Sequence, residues 1–536
     1  MNKVLYHAFL YDGDANPTPK FCSLFLKETI VEHSLSPYKA YEIVDIMSHD
    51  DIAPFLIGET FDLNITMSTI FYNDDEPFVR QKAKKLFGKD FEFISLNGAK
   101  ICPEFLDFHE HSEFYSFFNP TLPAKREQAI RSSIVGNCGI SVYPVVKGKE
   151  HLLEENVLSI LGKWPEIDGQ KVYWKDLNGF ENVLKSRGVQ NRLLFLTGHS
   201  ALRIAAMEGN PNREATESEI DRMCGLLNDM IDQGSIGFST GLYYAPCIFS
   251  SRKELLSLLK VVSKRNALFA VHIREEGNRL LESLKEVIDL SFDAGCRLEI
   301  SHLKAIGEKN QKKVLPALKI IEEARKDGLD VMFDQYPYDF GSTSLFSLLP
   351  PRILSLSEDD MIKALKNKTE REKIKAEMLS PKGWESITEL CTFDNVFIQA
   401  LGNTKDYDNL SINALASKLS KDPFDTFFDC LIESNGLALM KDTTTTKDSI
   451  DYIYAHPLSI FASDSLYAGD SWHPRSTECV SQALRVGFSL NSVYPMGFSV
   501  HRMTGKGAER LNLRKYFVAE KGSVMNFINF STGEVL

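Results

Sequence analysis

Short apolar runs separated by amphipathic stretches recur through the middle of the chain, a pattern that predicts parallel strands joined by helices. Eight runs stand out: KICPEFLDF, SSIVGN, LLFLTG, SIGFST, ALFAV, RLEIS, VMFDQYPY and LSIFAS. Most are followed by polar residues and then by apolar positions at helical spacing. In ESEIDRMCGLLNDMIDQGSIG, Ile220, Met223, Leu226, Leu227 and Met230 share one helical face, and Gly234 stands where a C-terminal cap belongs. Eight strand-helix repeats predict a closed (β/α)8 barrel of the TIM type, whose active site is built at the carboxyl ends of the strands.

Two regions fall outside the repeat. Residues 1–95 open with the β-like pieces KVLYHAFLYD and CSLFLKETIVEHS and pass through an irregular stretch around residues 36–90, which includes the charged helical segment EPFVRQKAKKLFG. The last residues, KGSVMNFINFSTGEVL, are β-like again. Residues 1–95 and 515–536 are therefore expected to meet in a small β-rich side domain, with the barrel over 96–514. More than a hundred residues separate VMFDQYPY from LSIFAS, and they carry amphipathic helices such as SINALASKLSKDPFDTFFDCLIE. This length predicts a helical lid inserted over residues 345–455 and covering the carboxyl-end face.

Composition narrows the function classes. The chain has 536 residues, 43% of them apolar and 25% charged, which is ordinary globular protein able to bury one large core plus satellites. The net charge of -12 and the lack of a basic run interleaved with aromatics argue against a nucleic-acid partner. Nine cysteines without a CxxC pair read as reduced thiols, and hence as a cytoplasmic protein. The N-terminus MNKVLYHAFLYDGD lacks the features of a secretion signal. No segment approaches the roughly 18 apolar residues that span a bilayer, so no membrane partner is expected.

Metal-ligand types sit at the ends of the apolar runs. His109 and His111 follow KICPEFLDF, and period-2 spacing in an extended segment turns both imidazoles to one side. Two neutral imidazoles make half a metal site. Cys138 follows SSIVGN, His272 closes ALFAVH, His302 follows RLEIS thirty residues later, and Asp464 lies in IFASDS. Each has a plain structural alternative: core imidazoles, a small buried cysteine, or an aspartate at a helix cap or in a loop. Lys304 stands two residues beyond His302, on the same strand face, where it can meet a substrate carboxylate or simply be solvated.

The segments LTGHSALRIAAMEG, GSIGFSTGLYYAP, HIREE, ISHLKAIG, DQYPY, SLFSLLPPR, ASDS and HPR occur in this order. In that arrangement the chain resembles the D-aminoacylases (N-acyl-D-amino-acid deacylases) of the amidohydrolase superfamily, from about residue 97 to 525. The resemblance implies a zinc-dependent hydrolase barrel that cleaves N-acyl-D-amino acids, small molecules, to a D-amino acid and a carboxylate. It also implies a tight zinc site at Cys138, His272 and His302, and a weaker or transient second one at His109, His111 and Asp464. Whether one zinc or two act in turnover stays open. Asp464 is expected to orient and deprotonate the attacking water, and then to return the proton to the leaving amine. Lys304, Tyr336 and Arg475 are expected to meet the substrate, Lys304 at its carboxylate.

Arg274 and Glu276 are expected to pair with each other, and His199 and Arg203 to match the family motif or brace the third loop. Related barrels hydrolyse cyclic amides such as hydantoins and dihydroorotate, or D-peptide bonds, and a non-catalytic barrel used for binding is a further alternative. The chain departs from the family's pattern at Glu104, where relatives carry glycine, and at STECVSQ after HPR. It also lacks their clear opening strands, so the small domain is expected to be reduced or rebuilt.

Overall fold

Three long antiparallel strands open the computed structural model, which describes residues 1–31, 38–48, 76–402, 406–490, 495–530 and 536. They are β1 (Asn2–Leu10), β2 (Lys20–Val31) and β3 (Tyr38–Ser48), and β4 (Phe91–Ser95) and β5 (Lys100–Pro103) add to β1 in parallel. The β-like pieces KVLYHAFLYD and CSLFLKETIVEHS do form strands, and the expected lack of clear opening strands is corrected; both faces of the sheet are buried, which replaces alternation with near-continuous apolar runs. Val4, Tyr6 and Phe25 pack against Val79 and Ala83 of the helix Glu76–Phe87, while Leu5, Leu24, Leu26 and Ile43 form a second cluster. Within the irregular stretch, residues 49–75 lie outside the described residues.

The run KICPEFLDF is shared between two sheets. Lys100–Pro103 is β5 of the side sheet, whereas β6 (Phe105–Asp107) begins the barrel. Glu104 stands at the junction, ion-paired to Arg131 at 3.1 Å and accepting a hydrogen bond from Asn526. After the short β7 (Glu110–His111) come β8 (Ile130–Val135), a hairpin of β9 (Glu166–Ile167) and β10 (Gln170–Lys171), and then β11 (Arg192–Gly198). The barrel continues through β12 (Gly237–Gly241), β13 (Leu268–His272), β14 (Arg297–Ile300) and β15 (Val331–Gln335).

An insertion follows, with a three-stranded antiparallel sheet of β16 (Gly341–Ser344), β17 (Val396–Leu401) and β18 (Ala438–Asp442). Its helices, among them Lys368–Leu379 and Pro423–Glu433, bury their own cluster of Ile374, Met378, Phe427, Phe428 and Met440. The chain then supplies the eighth barrel strand, β19 (Ser459–Phe461), and the short β20 (Ser465–Leu466). Finally β21 (Val524–Met525) and β22 (Phe527–Asn529) return to the side sheet, on β3 and β5.

Strands β6, β8, β11 to β15 and β19 pair in parallel in that order, as the eight apolar runs predict. The ring closes where β6 meets β19. Phe108 donates to the carbonyl of Phe461 (3.3 Å), Asp464 donates to that of His109 (2.7 Å), and β7 pairs with β20. Leu106, Ile134, Leu196, Leu268, Ala270, Met332 and Ile460 pack together with Ala508 and Phe517 of the C-terminal segment. The helix Glu217–Asp232 buries Ile220, Met223, Leu227 and Met230, starts from a Thr216 and Glu219 capping box, and ends before Gly234 at φ 111°. Among the described residues no helix is long and apolar enough to cross a membrane.

Candidate metal centre and active site

The barrel brings all six metal-ligand types together at the carboxyl ends of its strands. His272 is the last residue of β13, His302 lies two residues past β14, Cys138 three past β8, and Asp464 three past β19. Cys138 Sγ is 3.3 Å from His302 Nε2, 3.4 Å from His109 Nε2 and 3.9 Å from His272 Nδ1. Asp464 Oδ1 is 3.5 Å from Nε2 of both His109 and His111. The ligand atoms of His109, His111 and Cys138, and those of Cys138, His272 and His302, form two groups, each within 4.8 Å.

Tetrahedral zinc with ordinary bond lengths spaces sulfur and nitrogen ligands about 3.4–3.6 Å apart, so the cysteine-imidazole separations fit that ion. The donor chemistry fits it too, a soft thiolate with imidazoles being unsuited to magnesium or calcium.

Electrostatics differ from one member of the cluster to the next. Burial pulls His109 down, but Asp334 and Cys138 outweigh it and raise this imidazole well above the usual range. Burial holds His272 and His302 well below the usual imidazole range, so both are neutral and free to coordinate. Burial pushes the Cys138 thiol up, opposed by His109. For Asp464, burial acts upward but is outweighed by Arg475 and by the hydrogen bond with His111, and the carboxyl stays well below its ordinary value. Arg475 Nη1 lies 2.9 Å from Asp464 Oδ2.

Asp334 and Lys125 support this cluster without being singled out by the sequence, and Glu276 supports it in a role other than the expected one. Asp334, in the VMFDQYPY run, contacts His109 Nδ1 at 3.3 Å and accepts the His302 backbone N–H at 2.8 Å. Glu276 lies 3.2 Å from His302 Nδ1. A carboxylate on the far nitrogen of a ligating histidine fixes its tautomer and orientation. Lys125 is fully buried between Asp107 (2.7 Å) and Glu110 (3.0 Å), and it also donates to Ser463 and Ser465, the two neighbours of Asp464. A lysine next to the other charged and polar residues of PAKREQAI carries no signal of that role in sequence. The carboxylate in VMFDQYPY was the one visible hint of Asp334.

A cavity opens beside the cluster, lined by His272, His302, Asp464, Lys304, Tyr336 and Arg475 on the barrel side. Its other walls include Tyr243 and Tyr244, and the insertion contributes Gly341, Glu385 and Asp442. All three substrate candidates thus reach the site. Lys304 Nζ is paired with Glu276 at 2.7 Å, and the Arg475 guanidinium stacks 4.8 Å over the Tyr336 ring.

The expected Arg274–Glu276 pair is corrected. Arg274, at the rim, turns to Glu286 of the helix Leu280–Ala294 at 2.9 Å, while Glu276 turns inward, where burial demands a cation. His199 and Arg203 do brace the third loop. His199 bridges Thr240 (2.9 Å) and Glu254 (2.8 Å), and Arg203 pairs with the same Glu254.

No family model matches the chain. Over 252 residues, 47% of this chain and 49% of the relative, it is 33% identical to N-acyl-D-glutamate deacylase of Alcaligenes xylosoxydans xylosoxydans. Over a stretch of the same length it is 29% identical to D-aminoacylase of the same organism, covering 50% of it. N-acyl-D-aspartate deacylase, also from that organism, matches at 24% over 443 residues, 82% of this chain and 78% of the relative. The matched part spans about half the length of the first two curated relatives.

Among solved structures, one of D-aminoacylase concerned with its binuclear metal centre superposes with a TM-score of 0.70 at 20% identity, covering 98% of this chain and 89% of that one. N-acyl-D-glutamate deacylase from Bordetella bronchiseptica, in complex with zinc and a phosphonate inhibitor, gives the same TM-score and identity, covering 99% and 90%. By sequence the chain is similar to N-acyl-D-amino-acid deacylases, and its fold is that of the D-aminoacylase structures.

Proposed function

We propose that the protein is a zinc-dependent hydrolase that cleaves the amide of N-acyl-D-amino acids to a D-amino acid and a carboxylate. The observation that carries this reading is the convergence of Cys138, His272 and His302 with His109, His111 and Asp464 in one cluster, of which His272, His302 and Asp464 reach the wall of the cavity. Cys138, His272 and His302 would hold the tighter zinc, and His109, His111 and Asp464 would hold a weaker second one. When bound, zinc supplies a Lewis acid for the amide oxygen and makes water acidic enough to attack near neutral pH.

The chain's own residues do the rest. Asp464, kept ionised by Arg475 and His111, takes the proton of the attacking water and passes it to the nitrogen as the C–N bond breaks. Water thereby adds its hydroxyl to the acyl carbon, and the amine leaves neutral. Lys304, Tyr336 and Arg475 hold the substrate, with the Lys304 ammonium directed to the free α-carboxylate. A cytoplasmic location belongs to the same reading, which the nine free cysteines support.

The test is release of amine from paired N-acetyl-D- and N-acetyl-L-amino acids by zinc-supplied protein. Turnover should be confined to the D series. Cys138→Ala should lose the tightly held zinc, and with it about a thousandfold or more of kcat/KM, the several kcal/mol of charge stabilisation that a metal supplies. Full activity of metal-free protein, or faster turnover of hydantoins or dihydroorotate than of any N-acyl-D-amino acid, overturns the proposal.

A further inference from the structure

Among the protein's own side chains that line the cavity, carboxylates outnumber cations. Four carboxylates line it, Glu276, Glu385, Asp442 and Asp464, against the cations Lys304 and Arg475. Lys304 is taken by Glu276 at 2.7 Å and Arg475 by Asp464 at 2.9 Å. Glu385 is spent on the backbone, accepting the N–H groups of Glu276 (2.8 Å) and Gly277 (2.6 Å).

Asp442 is left over. It ends β18 in the insertion, is 5% exposed, and accepts one hydrogen bond, from the Thr444 hydroxyl at 2.5 Å. Among the described residues no lysine or arginine is ion-paired with it. Opposite it in register on β16 is Gly341, where a Cβ would sit 3.1 Å from Asp442 Oδ2, so the glycine leaves that oxygen uncovered.

We propose that this pocket selects N-acyl-D-amino acids whose side chain carries a cation, an ammonium or guanidinium, with Asp442 as its counter-charge. The inference rests on the deacylase reading and narrows its substrate class. A buried carboxylate without a cation is costly, and a substrate that brings one relieves the cost. Burial pushes the Asp442 carboxyl up, the direction an incoming cation reverses. The Tyr243 and Tyr244 rings on the same cavity suit an aliphatic stem and a cationic head. An acidic side chain, such as the one in the name of the N-acyl-D-glutamate deacylase relative, would set like charges together.

The experiment compares kcat/KM of zinc-supplied protein for the Nα-acetyl derivatives of D-lysine, D-arginine, D-methionine and D-glutamate, and for Nα,Nε-diacetyl-D-lysine, a neutral counterpart of the first. The cationic substrates should exceed D-glutamate by about a hundredfold, the ratio that 2.8 kcal/mol of charge discrimination produces at 1.4 kcal/mol per tenfold. Nα-acetyl-D-lysine should exceed its diacetyl counterpart by about tenfold, and Asp442→Asn should remove that ratio. The wild-type ratio decides the matter if the variant fails to fold. D-glutamate as the best substrate, or a lysine ratio that Asp442→Asn leaves unmoved, overturns the inference and leaves the deacylase reading standing. No turnover of any of the five overturns both.

Discussion

Cys138, His302 and Asp464 hang from backbone in the left-handed region, at φ 53°, 35° and 50°. Such a conformation costs a non-glycine residue about 1–3 kcal/mol and persists only where the surroundings over-determine it. For Cys138 the surroundings are partly glycine. A Cβ on Gly241, the last residue of β12, would come within 2.4 Å of the Cys138 carbonyl oxygen and 2.8 Å of the Tyr244 ring. The backbone of Cys138 cannot yield to it without moving the thiol. Gly241→Ala should therefore lower zinc affinity and kcat/KM together, by about 10- to 100-fold, the range found when the support of a metal ligand is disturbed. Chelator competition and steady-state kinetics measure the two. Unchanged zinc affinity would mean that the Cys138 turn has room to shift.

At the scale of the element, the helix Glu217–Asp232 is anchored by Glu219, which closes the capping box with Thr216 and also pairs with Arg213 at 2.7 Å. The Arg213 hydrogen bond outweighs the upward push of burial and holds the Glu219 carboxyl below its ordinary value. A depressed folded-state pKa adds stability above the unfolded value, about 4.3 for glutamate, and that stability fades as the pH falls. Glu219→Gln keeps a side chain able to complete the box but loses the ion pair. Its thermal midpoint should lie below that of the parent at pH 7, and the two should converge as the pH drops below about 4. A gap that is constant from pH 7 to pH 3 would assign the effect to the box alone.

This helix and the eight strands were legible because local periodicity reports which face is buried, and the buried face decides the element. The convergence of the six proposed ligands was legible for a related reason, since each lies at or just past the end of such a strand. Residues whose part depends on distant partners were not. Asp334 reaches His109 across 225 positions, and Lys125 reaches Ser463 across 338. Glu276 looked like the partner of Arg274 only because the two are neighbours in sequence.

The whole molecule depends on one seam. Seven of the barrel's strand contacts are ordinary parallel ladders, whereas β6 and β19 are joined by single backbone bonds and by the β7–β20 pair. Side chains finish the closure. Asp107 accepts the backbone N–H of Ser463 at 2.9 Å, and Lys125 links Asp107 and Glu110 on one side to Ser463 and Ser465 on the other. Because Asp464 stands between those serines and His109 and His111 lie beside Asp107 and Glu110, the seam sets the relation between the two halves of the proposed weaker metal site. Lys125→Met keeps much of the volume but leaves two fully buried carboxylates without their cation, a loss of about 3–5 kcal/mol. Urea unfolding of metal-free protein, so that zinc does not contribute, should show that fall, and adding Glu110→Gln to the variant should restore part of it by removing one of the stranded charges. If Lys125→Met stays within about 1 kcal/mol of the parent, far below the cost of breaking a buried pair, the backbone bonds alone hold the barrel shut.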